Sequence, residues 1–445
     1  MPDTRFYETP ATVSNMNATK ISRTRRPEMI HPQTNSATKI VFIVTIPMSA
    51  QILLRGQLAD MRNRGYSVTL ISSPGPALWA TAQREGINAI PVHMERQIAP
   101  LADLRALIAI TRILRKERPT ITKIGTPKAG LLGGLAAVVA GVPCRVYVLH
   151  GLRLETATGL KRAVLWSAER VACLSAHRVL CVSPSLLQEA RRLRLLPRGK
   201  GVLLGSGTSN GINSNHFSAT EELLQAASLL RKKFGIPEDA KVIGFVGRLT
   251  GDKGIVELLA AHRLLQRSFP GLLLLLVGEP DPDDPLPASV ASTLTAPGVI
   301  QAGWLTDTAA TYHVMDVLAL PTYREGFPGV SLEAAAAGRP VVTTSATGAI
   351  DSVVDGVTGY IVKPTDSAAL ADALGRFLAD PELAQRMGQN GQKRVRREFD
   401  RQAIWDGNDS LFRQLLKERG NNKRGSVKLW RAMGNIRAKI RVNNN

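Results

Sequence analysis

Short runs of apolar and β-branched residues alternate along most of the chain with longer segments in which apolar residues recur at helical spacing. The runs have the length and composition of buried strands, and the longer segments have the pattern of amphipathic helices. The runs cover residues 39–46, 67–72, 87–92, 120–125, 144–150, 177–183, 201–205, 241–247, 272–278, 298–303, 316–321, 339–344 and 359–362. This alternation predicts parallel sheets with helices on both faces.

The alternation is interrupted at residues 205–217, where Gly, Ser and Asn dominate, and such a stretch is typical of a turn between domains. A chain of 445 residues also exceeds the size at which a single hydrophobic core usually stops growing. The sequence therefore predicts two doubly wound, Rossmann-like α/β domains that face each other across a cleft, with ligands at the carboxyl ends of the strands. The predicted segments are a disordered leader at 1–38, an N-terminal domain at 39–215, a C-terminal domain at 216–400, and a helix with a basic tail at 401–445.

One helix can be predicted in more detail, over residues 101–117. Its apolar residues Leu104, Ile108, Ile110 and Leu114 are expected on or near one face, and its basic residues largely on another. The segment is therefore expected to form an amphipathic helix.

The formal net charge of +21 favours polyanionic partners such as nucleic acid, anionic lipid headgroups or phosphorylated substrates. Aromatic residues make up 5% of the chain and no nucleic-acid module is recognisable, so nucleic acid is not expected as a partner. Residues 417–445 carry nine Lys or Arg against a single acid, with apolar residues at helical spacing. This tail is either a basic amphipathic helix that binds an anionic membrane surface or a disordered tail.

Several observations bear on the compartment and on metals. Three cysteines without a CxxC pair predict neither a disulfide framework nor a zinc site, which is typical of the reducing cytosol. The polar first residues lack the apolar region of a signal peptide, and the longest apolar run, 129–144, is too short for a membrane span. Asp281, Asp283 and Asp284 superficially match a DxD metal motif, but they lie in a proline-broken loop and are expected to be solvated.

The most informative stretch covers residues 321–340. Glu325 follows a predicted strand, glycines next to it allow close approach of the backbone to a ligand, and a short helix then ends at Gly338. A helix N-terminus behind a glycine-rich loop suits a diphosphate or sugar hydroxyls. Glu333 lies inside this helix, where its carboxylate is suited to accept both hydroxyls of a ribose.

A second stretch, residues 247–254, also follows a strand and reads GRLTGDKG. Arg248 and Lys253 flank its glycine-rich turn. Two cations in this arrangement are enough to neutralise a diphosphate leaving group without Mg²⁺.

These residues carry a resemblance to a known family. Residues 247–359 resemble the second domain of the family 4 glycosyltransferases of the GT-B fold, whose signature includes two glutamates eight positions apart, as at Glu325 and Glu333. The resemblance extends through most of residues 39–400. The donor site that it implies consists of Arg248 and Lys253 at the diphosphate, Glu333 at the ribose, Glu325 with the backbone of Gly326 and Phe327 at the sugar, and backbone amides near Val330 and Ser331 at the phosphates.

The resemblance also implies residues of the first domain. His150 ends a predicted strand, where the family places a histidine that contacts the donor sugar or stabilises the transition state. Residues 125–137 look like those of a bacterial subgroup that extends lipid-diphosphate-linked saccharides, which makes Pro127 and Lys128 acceptor candidates. The catalytic residues implied are thus His150 and Glu325.

The expected activity is that of a retaining, metal-independent glycosyltransferase without a cofactor, acting in bacterial polysaccharide biosynthesis. Its donor would be a nucleotide sugar, a UDP-hexosamine by resemblance to the subgroup, and its acceptor a glycan linked to a polyprenyl diphosphate. The expected location is cytoplasmic and peripheral, on the inner face of the plasma membrane. Two alternatives stay open: a sugar-nucleotide epimerase on the same architecture, and a non-catalytic module that binds an anionic surface.

Overall fold

The computed structural model describes residues 37–281 and 284–419. The predicted leader at 1–38 therefore lies almost entirely outside the described residues, and so does the predicted basic tail beyond residue 419.

The first domain is built on a parallel sheet with strand order β3-β2-β1-β4-β5-β6-β7. Its strands are β1 (Lys39–Ile43), β2 (Ser67–Ser72), β3 (Asn88–Pro91), β4 (Ile121–Gly125), β5 (Cys144–Leu149), β6 (Arg178–Cys181) and β7 (Gly201–Val202). Its helices are α1 (Pro47–Leu53), α2 (Gln57–Asn63), α3 (Pro76–Glu85), α4 (Pro100–Glu117), α5 (Pro127–Val139), α6 (Gly159–Ser175) and α7 (Pro184–Arg192), with a 3₁₀ turn at Arg153–Glu155.

The second domain has a parallel sheet with order β10-β9-β8-β11-β12-β13. Its strands are β8 (Val242–Val246), β9 (Leu273–Val277), β10 (Val299–Gly303), β11 (Val317–Leu320), β12 (Val341–Thr344) and β13 (Gly359–Val362). Its helices are α8 (Ser214–Phe217), α9 (Glu221–Lys233), α10 (Ile255–Leu265), α11 (Ala288–Ala291), α12 (Ala309–Val314), α13 (Gly329–Ala336), α14 (Ser367–Ala379) and α15 (Pro381–Glu398), with 3₁₀ turns at Gly251–Lys253, Ser292–Thr295 and Ile350–Ser352.

Both sheets confirm the predicted fold class of two doubly wound domains. In each, the chain order reverses once, between β1 and β4 in the first sheet and between β8 and β11 in the second. Ligands of doubly wound domains bind at the carboxyl ends of the strands beside such a reversal. The central strands are apolar on both faces, as in β1, where Ile40 to Ile43 are at most 1% exposed.

The last described helix, α16 (401–419), packs on the first domain although it follows the second in the chain. Trp405, Phe412 and Leu415 belong to the hydrophobic core of the first domain. Tyr66 donates a 2.6 Å hydrogen bond to Asp409 of this helix. The chain therefore crosses between the domains twice, and α16 is part of the first domain's core rather than a separate appendage.

The four apolar residues named above for α4 differ in their burial. Ile110 and Leu114 are buried, whereas Leu104 is 53% exposed and Ile108 is 42% exposed. Ala106 takes the inward position instead, one turn before Ile110. The helix α4 packs against α5 of the same domain.

Among the described helices, none is both long and apolar enough to cross a membrane.

Candidate active site

The backbones of the two domains meet at the ends of β5 and β11. His150 follows β5, and Gly326 lies in the loop after β11. A β-carbon at Gly326 would stand 2.2 Å from the carbonyl oxygen of His150, and one at Gly151 would stand 3.1 Å from the nitrogen of Gly326. Only glycines fit here, so these two positions let the predicted catalytic residues of opposite domains share one site.

Lys253 and Glu325 form an ion pair in this cleft. Their side chains are 20% and 14% exposed, respectively. Gly254, with φ of 71°, follows Lys253, and a β-carbon there would clash with the carbonyl of Pro321 at 2.0 Å. The glycine thus allows the 3₁₀ turn to lie against the end of β11. This places Lys253, predicted to bind the diphosphate, beside Glu325, predicted to bind the sugar.

Arg248 is ion-paired with Asp281, which is a correction to the prediction that the acidic loop is solvated. The Asp281 side chain is 4% exposed, and Arg96 of the first domain also lies 3.2 Å from it. Asp281 follows the end of β9, next to β8 in the sheet, so it faces the start of the loop that carries Arg248. Asp284 is exposed, and Asp283 lies outside the described residues.

Glu333 is held by Tyr312 of α12, whose hydroxyl donates a 2.6 Å hydrogen bond to Glu333 Oε2. Burial raises the pKa of Glu333, while the hydrogen bond from Tyr312 lowers it. A β-carbon at Gly329 would stand 3.9 Å from Oε1, so the second carboxylate oxygen faces the start of α13. The carboxylate is therefore fixed by one oxygen and presents the other toward the helix N-terminus.

The remaining donor candidates lie around the first turn of α13, which includes Val330 and Ser331. The N-cap residue Pro328 makes no side-chain hydrogen bond to this turn, and the Ser331 N–H donates to the carbonyl of Pro328 at 3.2 Å. A helix N-terminus of this kind leaves backbone amides that suit an anionic group. The ring of Phe327 packs 5.2 Å from that of Phe399 and close to Gly207. Its side chain therefore supports the interdomain core, which leaves the backbone for contact with a ligand.

His150 is held neutral by its surroundings. Burial, with a smaller contribution from the charge of Lys123, lowers the pKa of His150 to about 4. A β-carbon at Gly125 would lie 3.1 Å from His150 Nε2, so the ring lies over the end of β4. At neutral pH the imidazole can exchange hydrogen bonds with sugar hydroxyls but carries no charge.

Pro127 and Lys128 lie in the first turn of α5, directly after β4 and therefore on the cleft side of the first sheet. Lys128 Nζ is 2.7 Å from Asp103 Oδ1 of α4 and also donates to the carbonyl of Gln97. Its side chain is 14% exposed. In this structure Lys128 ties the start of α5 to α4, and its role toward an acceptor stays a prediction.

Several residues of this site were not predicted, and most have no motif. Tyr312 lies on a different helix from Glu333, which it holds, and Asp281 was singled out only as part of an acidic loop and not as the partner of Arg248. Lys123 had a visible signal, because it interrupts the apolar run at 120–125. It is 3% exposed, and its Nζ donates to Gln57 Oε1 at 2.6 Å and to Asn408 Oδ1 at 2.7 Å.

Comparison with known proteins follows the same division into two domains. Residues 227–394 match the family model described as glycosyl transferases group 1, and residues 51–207 match that of the glycosyl transferase 4-like domain. The capsular polysaccharide biosynthesis glycosyltransferase CapM of Staphylococcus aureus is 37% identical over 85% of this chain and 98% of its own length. Both predicted domains thus have counterparts in a single relative.

Two more distant proteins extend the comparison. The UDP-Gal:alpha-D-GlcNAc-diphosphoundecaprenol alpha-1,3-galactosyltransferase of Escherichia coli is 24% identical over 81% of this chain and 93% of its own. The crystal structure of Anabaena HepE in complex with UDP-glucose superimposes with a TM-score of 0.70 at 21% identity, covering 84% of this chain and 99% of that one. The structural likeness shows the shared GT-B fold.

Proposed function

The chain belongs to the family 4 glycosyltransferases of the GT-B fold, and from this premise we propose that it is a retaining, metal-independent enzyme of bacterial polysaccharide biosynthesis. The proposed donor is a UDP-linked hexosamine, and the proposed acceptor is a glycan carried on a polyprenyl diphosphate. The E. coli relative is named for a UDP-sugar donor and a diphosphoundecaprenol acceptor, and CapM for capsule synthesis, which supports both substrate classes.

The observation that carries the proposal is the charge pairing at the donor site. Arg248 and Lys253 converge on the cleft, and each is neutralised by a carboxylate of the chain itself, Asp281 and Glu325. A donor diphosphate offers two anionic groups to the same two cations, so its binding replaces internal ion pairs with ligand ion pairs. This exchange frees Glu325 from Lys253, which makes its carboxylate available to sugar hydroxyls.

In the proposed reaction, the bond between the anomeric carbon and the diphosphate oxygen breaks while the acceptor oxygen attacks from the same face. Arg248 and Lys253 stabilise the negative charge that develops on the leaving diphosphate. A leaving phosphate oxygen accepts the proton of the acceptor hydroxyl, so no protein base is needed. Glu325 orients the sugar and stabilises the positive charge that develops at its anomeric carbon.

The neutral state of His150 fits this scheme. A cationic imidazole beside the anomeric carbon would oppose the positive charge of the transition state, whereas a neutral one hydrogen-bonds to a sugar hydroxyl without that cost. The closed contact between Gly151 and Gly326 also limits entry of water, which would otherwise hydrolyse the donor.

Peripheral membrane association is part of the proposal, because a polyprenyl-linked acceptor resides in the membrane. Pro127 and Lys128 are the proposed acceptor-side residues, since α5 begins at the carboxyl end of β4 on the first-domain side of the cleft. The nucleotide is then bound by the second domain.

The test is a donor panel of UDP- and GDP-linked hexoses and N-acetylhexosamines, with release of nucleotide diphosphate measured with and without a polyprenyl-diphosphate saccharide. The proposal expects release from a UDP-hexosamine that depends on the acceptor. An epimerase would interconvert the nucleotide sugar without acceptor, and no release with any donor would contradict the transferase assignment.

Stereochemistry is tested on the purified product. Nuclear magnetic resonance of its anomeric proton should show the α configuration of the donor sugar retained. A β linkage would overturn the retaining mechanism while leaving the transferase assignment in place. Removal of divalent cations with a chelator should leave the rate unchanged, and loss of activity reversed by Mg²⁺ or Mn²⁺ would contradict metal independence.

A further inference from the structure

Two side chains of the first domain, Glu155 and Ser185, reach across the cleft to one turn of the second domain. This turn, residues 347–351, follows β12 and is called here the β12 turn. Thr347 Oγ1 donates a 2.5 Å hydrogen bond to Glu155 Oε1. The hydroxyl and backbone N–H of Ser185 both donate to Asp351 Oδ2, at 2.5 and 3.0 Å. Both contacts exist only while the two domains are close together.

The β12 turn rests directly on the loop that carries Glu325. The backbone N–H of Glu325 donates to the carbonyl of Thr347 at 2.9 Å. Gly348 has φ of 76°, and a β-carbon there would stand 2.4 Å from the carbonyl oxygen of Gly326 and 2.6 Å from that of Glu325. Since the two backbones touch with no space between them, a shift of the β12 turn also shifts Glu325.

The β12 turn is held by hydrogen bonds from both domains. The Ser185 hydroxyl accepts a 2.7 Å hydrogen bond from the N–H of Gly348 and donates its own proton to Asp351. From the other side, Arg394 of α15 donates to the carbonyls of Asp351 and Ser352 at 2.8 and 2.9 Å. The turn is therefore clamped between α15 of its own domain and α7 of the other, an arrangement that fits one relative placement of the domains.

Glu155 shows that this contact has an energetic cost. Its Oε2 atom is buried without a hydrogen-bond partner among the described residues. Burial raises the pKa of Glu155, and the hydrogen bond from Thr347 opposes that rise. A carboxylate oxygen without a partner is costly to bury, so the carboxylate would be better solvated in an open cleft.

We propose that Glu155 and Ser185 are positioning residues for sugar transfer. By holding the β12 turn, they set the backbone of Glu325 and Gly326 in the arrangement that the donor sugar needs, and they do so only in the closed state. This inference rests on the proposed function, because that function assigns the donor sugar to Glu325. The nucleotide part of the donor is held within the second domain, so its binding is independent of the clamp.

The test uses the full chain with one variant on each side of the cleft, Ser185→Ala and Thr347→Val. Their conservative counterparts are Ser185→Thr and Thr347→Ser, which keep the hydroxyls. Thr220→Ala serves as the control, since the Thr220 hydroxyl caps α9 by accepting a 3.3 Å hydrogen bond from the Leu223 N–H at an exposed position of the second domain. Calorimetry measures the dissociation constant of UDP, and acceptor-dependent UDP release measures kcat and KM with UDP-N-acetylglucosamine, or with the panel member that the wild type turns over.

Ser185→Ala and Thr347→Val each lose a hydrogen bond that involves a carboxylate, and the expected fall in kcat is about tenfold or more. The dissociation constant of UDP should stay close to that of the wild type, and the melting temperature should fall no further than it does in Thr220→Ala, which loses a helix cap. The two hydroxyl-preserving variants should regain most of the activity. If one variant is unstable, its counterpart on the opposite domain still provides the measurement.

Unchanged kcat in Ser185→Ala and Thr347→Val, with an active wild type, would overturn the inference. So would equal losses in the hydroxyl-preserving variants, because the hydroxyl would then not be the cause. A wild type that neither binds UDP nor releases it would instead contradict the proposed function itself, and the inference with it. The wild-type measurement alone separates these two failures.

Discussion

Tyr312→Phe is predicted to weaken nucleotide binding, because Tyr312 holds Glu333, the residue proposed to bind the ribose. The substitution removes the hydroxyl that donates to Glu333 Oε2 at 2.6 Å and leaves the aromatic ring in place. Tyr312 is fully buried, so water cannot easily replace the lost donor. Glu333 then has one partner fewer for a carboxylate whose pKa burial already raises.

The magnitude follows from the kind of hydrogen bond that is lost. A hydrogen bond to a charged group contributes about 1.5–3 kcal/mol, and about 1.4 kcal/mol corresponds to tenfold in affinity. Part of the loss appears as reduced stability of the free protein, so we expect the dissociation constant of UDP to rise about tenfold. The sign of the pH dependence follows too: without the Tyr312 hydroxyl the pKa of Glu333 rises further, and UDP binding weakens at a higher pH as the solution is acidified.

Calorimetric titration with UDP provides the assay, and Tyr147→Phe provides a matched control. The Tyr147 hydroxyl donates to Glu169 Oε1, also at 2.6 Å, and burial raises the pKa of Glu169 to about 7. This pair lies between β5 and α6 of the first domain, away from the nucleotide. Tyr147→Phe should lower the melting temperature by a similar amount and leave UDP affinity unchanged. Equal UDP affinities in the wild type and Tyr312→Phe, or equal weakening in both variants, would refute the reasoning.

Three further predictions concern charge and closure. Asp281→Asn should tighten UDP binding about threefold, and more at low salt, because Arg248 loses a competing carboxylate; weaker binding in calorimetry would contradict this. Gly326→Ala should abolish transfer yet keep UDP binding, since the new β-carbon would meet the carbonyl of His150 at 2.2 Å; a normal kcat would contradict the closed contact. Burial lowers the pKa of Lys123 to about 7, whereas in the unfolded chain the pKa is about 10.5. Between these pH values the unfolded chain binds one more proton than the folded one, so the unfolding free energy of the wild type should rise with pH relative to Lys123→Met, by at most about 1.4 kcal/mol per pH unit. Unfolding free energies of the two proteins that change in parallel with pH would show that Lys123 titrates normally.

The fold was predictable because its strands are short apolar runs that need no partner to be recognised. The runs at 67–72 and 359–362 are identical to β2 and β13, and each other predicted run contains one strand of the two sheets. Helix faces were harder to predict. Leu104 and Ile108 fit helical spacing as well as Ile110 does, yet both are exposed, so spacing alone does not tell which residues of α4 are buried.

The residues of the site were likewise predictable only where they lie close together in the sequence. Glu325, Glu333 and the glycines around them are close in sequence and form a local pattern, so they could be singled out as donor-site candidates. The partners of the site residues are not local. Tyr312, which holds Glu333, lies on another helix, and Asp281 meets Arg248 because β8 and β9 are neighbours in the sheet. Ser185 reaches the β12 turn from the other domain. Such contacts depend on tertiary structure, which spacing along the chain does not encode.

The acceptor-dependent release of UDP by Lys253→Ala, compared with the wild type and with Lys393→Ala, tests the central claim most directly. Lys253 is ion-paired with Glu325 in the cleft, whereas Lys393 is exposed on α15. The Lys393→Ala substitution removes the same charge from the same domain. If the cleft transfers a sugar as proposed, Lys253→Ala loses transfer while remaining folded by circular dichroism, and Lys393→Ala keeps the wild-type rate. Near-normal transfer by folded Lys253→Ala would contradict the account.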